Sequence, residues 1–171
     1  LYHVVCRDEA GNVKWEEGFP NLVNAVGKQL MLNTLLQGSA YTVTGPYLGL
    51  IATTSPTFTA ADTMTSHAGW TEFTAYTVSS SAVRGTAVFA SATSTGSSPS
   101  NVTTSAASAI TYAIVAPGGN VTGCFLCTGS GASSTQSNTG GTLYSAGAFA
   151  TAKTTTAGDT VSVTYSTTAT S

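Results

Sequence analysis

Charged residues are scarce in this chain and make up 7% of its 171 residues, against about 25% in a typical soluble domain. The formal net charge is only −2. A surface this poor in charge attracts neither phosphate backbones nor anionic lipid, so neither a nucleic-acid partner nor a membrane partner is expected. Serine and threonine, 53 residues together, keep the surface hydrated without charging it. This composition is typical of proteins that pack against a partner or against copies of themselves.

Cysteine is also scarce, and Cys6, Cys124 and Cys127 are too few for a disulfide framework. Cys124 and Cys127 form a C-x-x-C pair within the β-type run VTGCFLC, where residues i and i+3 face opposite sides of a sheet. We therefore expect buried thiols that pack as small hydrophobic side chains, not a redox or metal site. No apolar run of about 18 residues is present, so no transmembrane helix is expected. The opening run LYHVVC does not resemble a signal peptide.

Alternation of apolar and polar residues predicts a mainly β protein. The chain length suits a single domain, residues 1–171, with an N-terminal hairpin arm at 1–20, a helix at 21–38 and a sandwich at 46–171. The expected fold class is an antiparallel β-sandwich or jelly-roll-like domain with one N-terminal α-helix. The predicted strands include 47–52, 83–91, 109–115, 121–127, 143–150 and 160–166, and the predicted loops include 94–101 and 128–141.

A helix is predicted from Asn21, as the N-terminal cap, to Gln37, with Gly38 as the stop. Gly27 weakens this helix by about 1 kcal/mol relative to alanine, so packing must support it. An apolar stripe along the helix is typical of a core or subunit contact rather than of a membrane anchor. The stripe comprises Leu22, Val23, Val26, Leu30, Met31, Leu32, Leu35 and Leu36.

The stretch DTMTSHAGWTE, residues 62–72, holds the most chemically distinctive side chains of the chain. Asp62, His67 and Glu72 are spaced by five and five, with Ser66 beside the histidine. A Ser-His-Asp catalytic unit and an Asp/His/Glu metal site are the two reactive interpretations. The structural interpretation is favoured: Trp70 anchors the loop, Asp62 accepts from nearby backbone amides, and His67 binds a carbonyl group or Glu72.

The rest of the chain offers little support for enzymatic chemistry. The only other histidine is His3, and neither a phosphate-cradling Gly-Lys-Ser/Thr motif nor a plausible carboxylate pair is present. We therefore expect no catalytic residues, no metal site and no cofactor, and hence a protein that is not an enzyme.

Three segments together resemble a family of small virion structural proteins of tailed bacteriophages. The first is NLVNAVGKQLMLNTLLQGS followed by YLGLI, the second is ADTMTSHAGWTEFTAY with Arg84 shortly after, and the third is GGTLYSAGAFATAKTTTAGDTVSVTYS. In order and spacing they cover most of residues 21–166. The run Ser-His-Ala-Gly-Trp-Thr-Glu carries most of the specificity. The cysteines at 124 and 127 depart from the aliphatic residues expected there.

The resemblance implies a capsid decoration or cement protein on the outer surface of the virion head. Its implied partners are the major capsid protein and further copies of the chain, as a dimer or trimer. The capsid or subunit contact candidates are Trp15, Leu22, Val26 and Leu30, while Asp62, His67, Trp70 and Glu72 are candidates for a structural loop or contact.

The alternative is a tail-fibre or baseplate module that recognises host saccharide. Such a module needs exposed aromatic rings for stacking on sugars, and the sequence offers Trp15, Trp70, Tyr41 and Tyr76.

Overall fold

A computed structural model describes residues 1–90, 93–95, 98–102 and 109–168 of the protein. Within these ranges the chain forms thirteen strands, paired only in antiparallel fashion, and one α-helix, which confirms the predicted mainly β class. The elements are β1 Tyr2–Arg7, β2 Val13–Phe19, β3 Leu22–Val23, α1 Ala25–Leu35, β4 Tyr47–Ile51, β5 Glu72–Phe73, β6 Tyr76–Thr77, β7 Gly85–Thr86, β8 Thr93–Thr95, β9 Ser98–Val102, β10 Ile110–Ile114, β11 Gly119–Thr128, β12 Thr142–Thr155 and β13 Thr160–Thr168.

Two antiparallel sheets face each other and form a β-sandwich. The first sheet has the order β2-β1-β13-β10-β6, with β9 also paired to β13 and β8 paired to β9. The second sheet has the order β3-β12-β11-β4-β5, with β7 also paired to β4. The sandwich is therefore confirmed, while the jelly-roll connectivity stays a prediction.

The N-terminal hairpin is present as β1 and β2, but it is not a free arm. Strand β1 lies inside the first sheet, between β2 and β13, in a register that places Tyr2 opposite Tyr165. Tyr2, Val4 and Cys6 alternate along β1 and are fully buried. Because these side chains belong to the core between the sheets, the hairpin has to be part of the sandwich.

The helix is shorter than predicted. Asn21 and its neighbours do not begin it: Leu22–Val23 is strand β3, paired with β12, and Asn24 occupies the N-terminal cap position without a side-chain cap bond. The helix ends at Leu35, before the predicted Gln37. Leu22 and Val23 lie at the edge of the second sheet, where their backbone groups need hydrogen-bond partners. Pairing with β12 supplies these partners, so this segment forms a strand instead of the first helical turn. No helix in the described ranges is long and apolar enough to cross a bilayer.

The main core lies between the two sheets. Its side chains come from alternate positions of strands in both sheets, as the two-residue period of a half-buried strand requires. Continuous apolar runs mark β4 and β11, which are instead buried on both faces. Side chains of the main core include Val4, Leu48, Leu50, Tyr112, Cys124, Val161, Val163 and Tyr165.

A second, smaller apolar cluster covers the outer face of the second sheet. Ile51, Phe125 and Cys127 point away from the main core and pack there with side chains of the loop at residues 52–71, chiefly Met64 and Trp70. Cys124 and Cys127 thus belong to different clusters, and both are fully buried free thiols, as predicted from the strand period. The loop at residues 52–71 therefore acts as a third layer on one side of the sandwich.

Two local predictions are wrong. Residues 94–101, predicted as a loop from their serine content, contain parts of strands β8 and β9, and β9 pairs with the C-terminal end of β13. The predicted strand at 83–91 is reduced to Gly85–Thr86, and Ser91 lies outside the described residues. Serine content misled the first prediction and alternation misled the second, because backbone pairing with a neighbouring strand decides whether a segment becomes a strand.

Candidate functional site

Trp70 anchors the loop at residues 52–71 on the second sheet. Its indole is 2% exposed and lies 5.0 Å, between ring centroids, from Phe125 of β11. His67 stacks on the Trp70 ring, with a centroid distance of 3.8 Å and an interplanar angle of 19°. Phe58 completes the aromatic group at 6.4 Å from Trp70. A large buried aromatic group of this kind holds a loop by apolar burial and ring contact.

Local hydrogen bonds fix the conformation of the same loop. Asp62 is buried and accepts from the backbone N–H of Thr59 at 3.1 Å and from its hydroxyl at 2.7 Å. His67 Nδ1 donates to the carbonyl oxygen of Trp70 at 3.0 Å. Both contacts are those expected for a structural loop. The hydrogen bonds of the described loop connect Asp62 and His67 to different groups, so they do not form a catalytic relay.

Glu72 follows this loop as the first residue of β5 and forms a buried ion pair with Arg84. The carboxylate accepts from Arg84 Nε at 2.9 Å and from Nη2 at 2.7 Å, which is the paired geometry that a guanidinium group favours. The side chains are 6% and 1% exposed, respectively. The pair is therefore held in a region from which water is almost excluded.

Arg84 also binds the loop at residues 129–141. Nη2 donates to the carbonyl oxygen of Asn138 at 2.7 Å, and Nη1 donates to that of Ser133 at 3.2 Å and to the sulfur of Cys127 at 3.6 Å. With the two bonds to Glu72, all five N–H groups of the guanidinium are engaged. Because no donor is left over, this arginine is not available to bind an anionic ligand.

The carboxylate and the aromatic ring of Phe125 complete the surroundings of Arg84. Glu72 accepts a third bond, from the backbone N–H of Ser137 at 2.7 Å. The guanidinium carbon lies 5.0 Å from the centre of the Phe125 ring, a cation–π contact. Gly49 of β4 permits this packing, since a Cβ atom there would overlap the Phe125 ring. Burial disfavours the charged arginine, but the hydrogen bonds and charge of Glu72 outweigh it and raise the pKa of Arg84.

A small pocket of about 170 Å³ opens beside this ion pair. Its walls include His67, Trp70, Glu72, Arg84 and Phe125. The charges at its floor neutralise each other, and the described ranges contain no group of three or more His, Cys, Asp or Glu that could hold a metal ion. The geometry serves to join two loops to the outer face of the second sheet.

The four predicted contact residues lie in different places. Trp15 is half-buried against Phe149 of β12, with ring centroids 5.4 Å apart. Leu22 is 36% exposed in β3, and Val26 and Leu30 are half-buried in α1. Leu30 lines a groove beside the helix. The structure therefore places Trp15 in the sandwich, whereas Leu22, Val26 and Leu30 lie in or next to α1 and are at least partly exposed.

The aromatic residues required by a saccharide-binding module are mostly inaccessible. Trp70 is 2% exposed and Tyr76 is fully buried. Tyr41 is half-buried, and its hydroxyl group lies 2.6 Å from that of Thr128. Buried rings provide no stacking face for a sugar.

Sequence reasoning did not assign a role to Arg84 or identify the exposed end of α1. Arg84 is one of only three charged residues after Glu72, and an isolated charge in an uncharged half of a chain is a usable signal for a buried pair. Leu32, Leu35 and Leu36 are 57%, 75% and 81% exposed, which no sequence pattern indicates. Comparisons of the chain with protein-family models, with curated proteins and with solved structures gave no match.

Proposed function

We propose that the protein is a virion structural protein of a tailed bacteriophage, a decoration or cement protein bound to the outer surface of the major capsid shell. In this role it stabilises the head by bridging neighbouring capsomers. The basis is the resemblance of the three segments within residues 21–166, joined to the way in which the fold uses its few charges.

The observation that carries the proposal is that the fold pairs its charges internally while apolar side chains remain exposed. Ten of the twelve charged residues make ion pairs or hydrogen bonds within the chain. A surface of hydroxyl and apolar groups favours packing against another protein surface over attraction to a polyanion. The ten residues are Arg7, Asp8, Lys14, Glu16, Glu17, Asp62, Glu72, Arg84, Lys153 and Asp159.

The proposed mechanism is mechanical. The Trp70 group and the Glu72–Arg84 pair hold the loops at residues 52–71 and 129–141 against the sandwich, so the domain acts as a rigid body. When such a body contacts two capsomers, the buried apolar surface stabilises both contacts by roughly 25 cal/mol per Å² before the entropy of binding is subtracted. Internal pressure from packaged DNA is then shared by more contacts.

The decisive experiment is the stoichiometry of this chain relative to the major capsid protein in purified particles, measured by quantitative mass spectrometry. We expect a ratio near one or a simple fraction of it. A few copies per hundred capsid subunits would contradict the proposal and move the protein to the tail.

A second measurement tests the mechanism and not only the location. Particles assembled without this chain are expected to release their DNA at a lower temperature than complete particles, and adding the purified chain should restore the release temperature of complete particles. Deleting residues 1–20 is unsuitable as a variant, because β1 lies inside the first sheet and its removal exposes the core. Point substitutions of exposed residues are the appropriate controls. Equal release temperatures with and without the chain would exclude a cementing role.

A further inference from the structure

Strands β2 and β12, from different sheets, meet at one corner of the sandwich. Strand β2 is the last strand of the first sheet. Strand β12 of the second sheet pairs with β3 only through Ser145 and Ala146, and no other strand of the described residues pairs with β12 on that side. An uncovered strand edge offers backbone groups to which a strand of another molecule can bind. This corner therefore presents two strand edges to other molecules.

Glu17 occupies an inward-facing position of β2. It lies opposite Val4 of β1, whose side chain is buried in the main core, and directly opposite residues point to the same face of a sheet. Trp15 and Phe19 lie two positions away on either side and share this face. Their rings pack on that of Phe149 of β12, at centroid distances of 5.4 Å and 4.8 Å, respectively. A carboxylate between these aromatic side chains requires polar partners.

Strand β12 supplies both partners of this carboxylate. Glu17 Oε1 accepts from the backbone N–H of Ala150 at 2.7 Å, and Oε2 lies 2.8 Å from Nζ of Lys153. Residues 149–152 of β12 lie opposite the single residue Thr122 of β11, a bulge that leaves backbone groups unpaired. Burial raises the pKa of Glu17, but the contacts with Ala150 and Lys153 outweigh it and lower the pKa below its ordinary value. The ionised carboxylate therefore joins β2 to β12 across the corner.

We propose that Glu17 protects this corner against the addition of a strand from another molecule. Its carboxylate occupies the N–H of Ala150, which an added strand would otherwise use, and it holds β2 next to β12. A strand added at the corner would also cover Glu17, whose side chain is 20% exposed, and would separate it from the remaining water. Because deeper burial of a charge is unfavourable, the carboxylate opposes such an extension of the sheet.

The low charge of the chain gives this contact its importance. A net charge of −2 provides little repulsion between molecules, so general electrostatics does not keep strand edges apart. Protection then has to act locally, at the edge itself. The inference goes beyond the proposed function and does not depend on it, because the folded chain needs this protection in any role.

The test compares Glu17→Ala with Glu16→Ala. Both variants remove one negative charge from β2 and introduce the same side chain, but Glu16 lies on the opposite face, is 53% exposed and pairs with His3. Sedimentation velocity of the purified full chain over a wide concentration range measures association. We expect Glu17→Ala to form species that grow with concentration, whereas Glu16→Ala should keep the mass of the wild type.

Hydrogen exchange of the Ala150 amide, followed by NMR, reports on the contact itself. At a concentration where the chains do not associate, exchange should be at least about tenfold faster in Glu17→Ala, because a hydrogen bond to a charged acceptor is lost. Exchange in Glu16→Ala should match that of the wild type. Equal exchange rates in all three proteins would show that Glu17 does not cover the edge of β12, and the proposal would be wrong.

Several sedimentation results would also overturn the proposal. Equal association of the two variants would mean that the lost charge matters and its position does not. A Glu17→Ala chain with the wild-type mass at every concentration would mean that the edge needs no protection. Association that begins only when the near-UV spectrum of the folded chain is lost would reflect unfolding.

A second pair of variants keeps the test decisive if Glu17→Ala does not fold. Glutamine keeps the size of the side chain and an acceptor for Ala150 but not the charge, so Glu17→Gln preserves more of the native contacts. It should associate more strongly than Glu16→Gln. Equal association of these two variants would contradict the proposal in the same way.

Discussion

Glu72 and Arg84 bring opposite charges into a region that is almost free of water. Removing two ions from water costs several kcal/mol each, and only close geometry with further hydrogen bonds compensates for this. Here every guanidinium N–H has an acceptor, and the carboxylate receives an additional backbone donor from Ser137. Loss of either residue should therefore destabilise the fold, because the remaining side chain stays buried without its partner.

The first prediction concerns this pair. Glu72→Gln and Arg84→Met should each lower the free energy of unfolding by about 3 kcal/mol, because each leaves one uncompensated charge or a set of unbonded carbonyls. The double variant should lose less than the sum of the two, with a coupling energy of at least about 1 kcal/mol. Urea unfolding of the wild type, both single variants and the double variant measures these values.

Glu16→Gln serves as the control, because Glu16 pairs with His3 on the surface, where their side chains are 53% and 45% exposed. Its effect should stay within about 0.5 kcal/mol. Additive losses in the double variant would show that Glu72 and Arg84 stabilise the fold independently.

At the scale of residues, the sequence predicted most contacts within the loop at residues 52–71 but not the contact of Glu72 with Arg84. Asp62, His67 and Trp70 make local contacts within a few residues, and local contacts can be inferred from residue type and spacing. The contact of Glu72 with Arg84 spans twelve residues, and that of Arg84 with Asn138 spans 54. Which residues meet over such distances depends on how the strands pair, which no local pattern encodes.

At the scale of elements, α1 depends on one glycine for its position on the second sheet. Gly27 is the only buried residue of this helix. A Cβ atom at this position would lie 2.6 Å from the carbonyl oxygen of Tyr144 and 3.0 Å from its Cα, both backbone atoms of β12. The backbone of the helix thus approaches the backbone of the strand more closely than any other residue allows.

Gly27→Ala is therefore predicted to be destabilising despite the higher helix propensity of alanine. The propensity gain is about 1 kcal/mol, whereas overpacking against backbone costs roughly 1–3 kcal/mol in general. We expect a net loss of about 1 kcal/mol or more in the free energy of unfolding, measured by urea titration. Gln29→Ala, at an exposed position of the same helix, should be neutral or slightly stabilising. A stabilising Gly27→Ala would mean that the helix does not lie this close to β12.

The strands were easier to predict than the helix ends. Alternation predicted β10 and β13 closely, an apolar run predicted β4 as a buried strand, and the predicted strand 121–127 lies within β11. Strands β8 and β9 were missed because their serine-rich sequence resembles a loop. Their strand structure depends on the pairing of β9 with β13 and of β8 with β9. The helix start was missed because Leu22 and Val23 satisfy a helical pattern as well as a strand edge.

At the scale of the molecule, the three cysteines are distributed over both apolar clusters, so their reactivity measures the opening of each cluster. Cys6 and Cys124 lie in the core between the sheets, and Cys127 lies in the outer cluster under Trp70. Burial raises the pKa of Cys6 to about 11, and it also raises the pKa of Cys124 and of Cys127. Since the thiolate is the reactive form, buried and protonated thiols react slowly.

We predict that a small thiol reagent modifies none of the three cysteines of the native protein at neutral pH and all three after unfolding. Slow modification under native conditions should affect all three at one rate, because they require the same global opening. Mass spectrometry of labelled peptides over time measures this. Modification of Cys127 well before Cys6 and Cys124 would instead show that the loop at residues 52–71 opens separately from the sandwich.

The sequence by itself determined the mainly β class, the buried strand at 47–52, the opposite orientation of Cys124 and Cys127 and the low charge of the surface. These properties depend on composition and on the two-residue period of a strand, which are local. Only the tertiary structure decided that the N-terminal hairpin lies within a sheet, that Glu72 meets Arg84 and that the leucines at the end of α1 stay uncovered. An apolar stripe has the same sequence whether or not another element covers it, so packing alone decides which face is left for a partner.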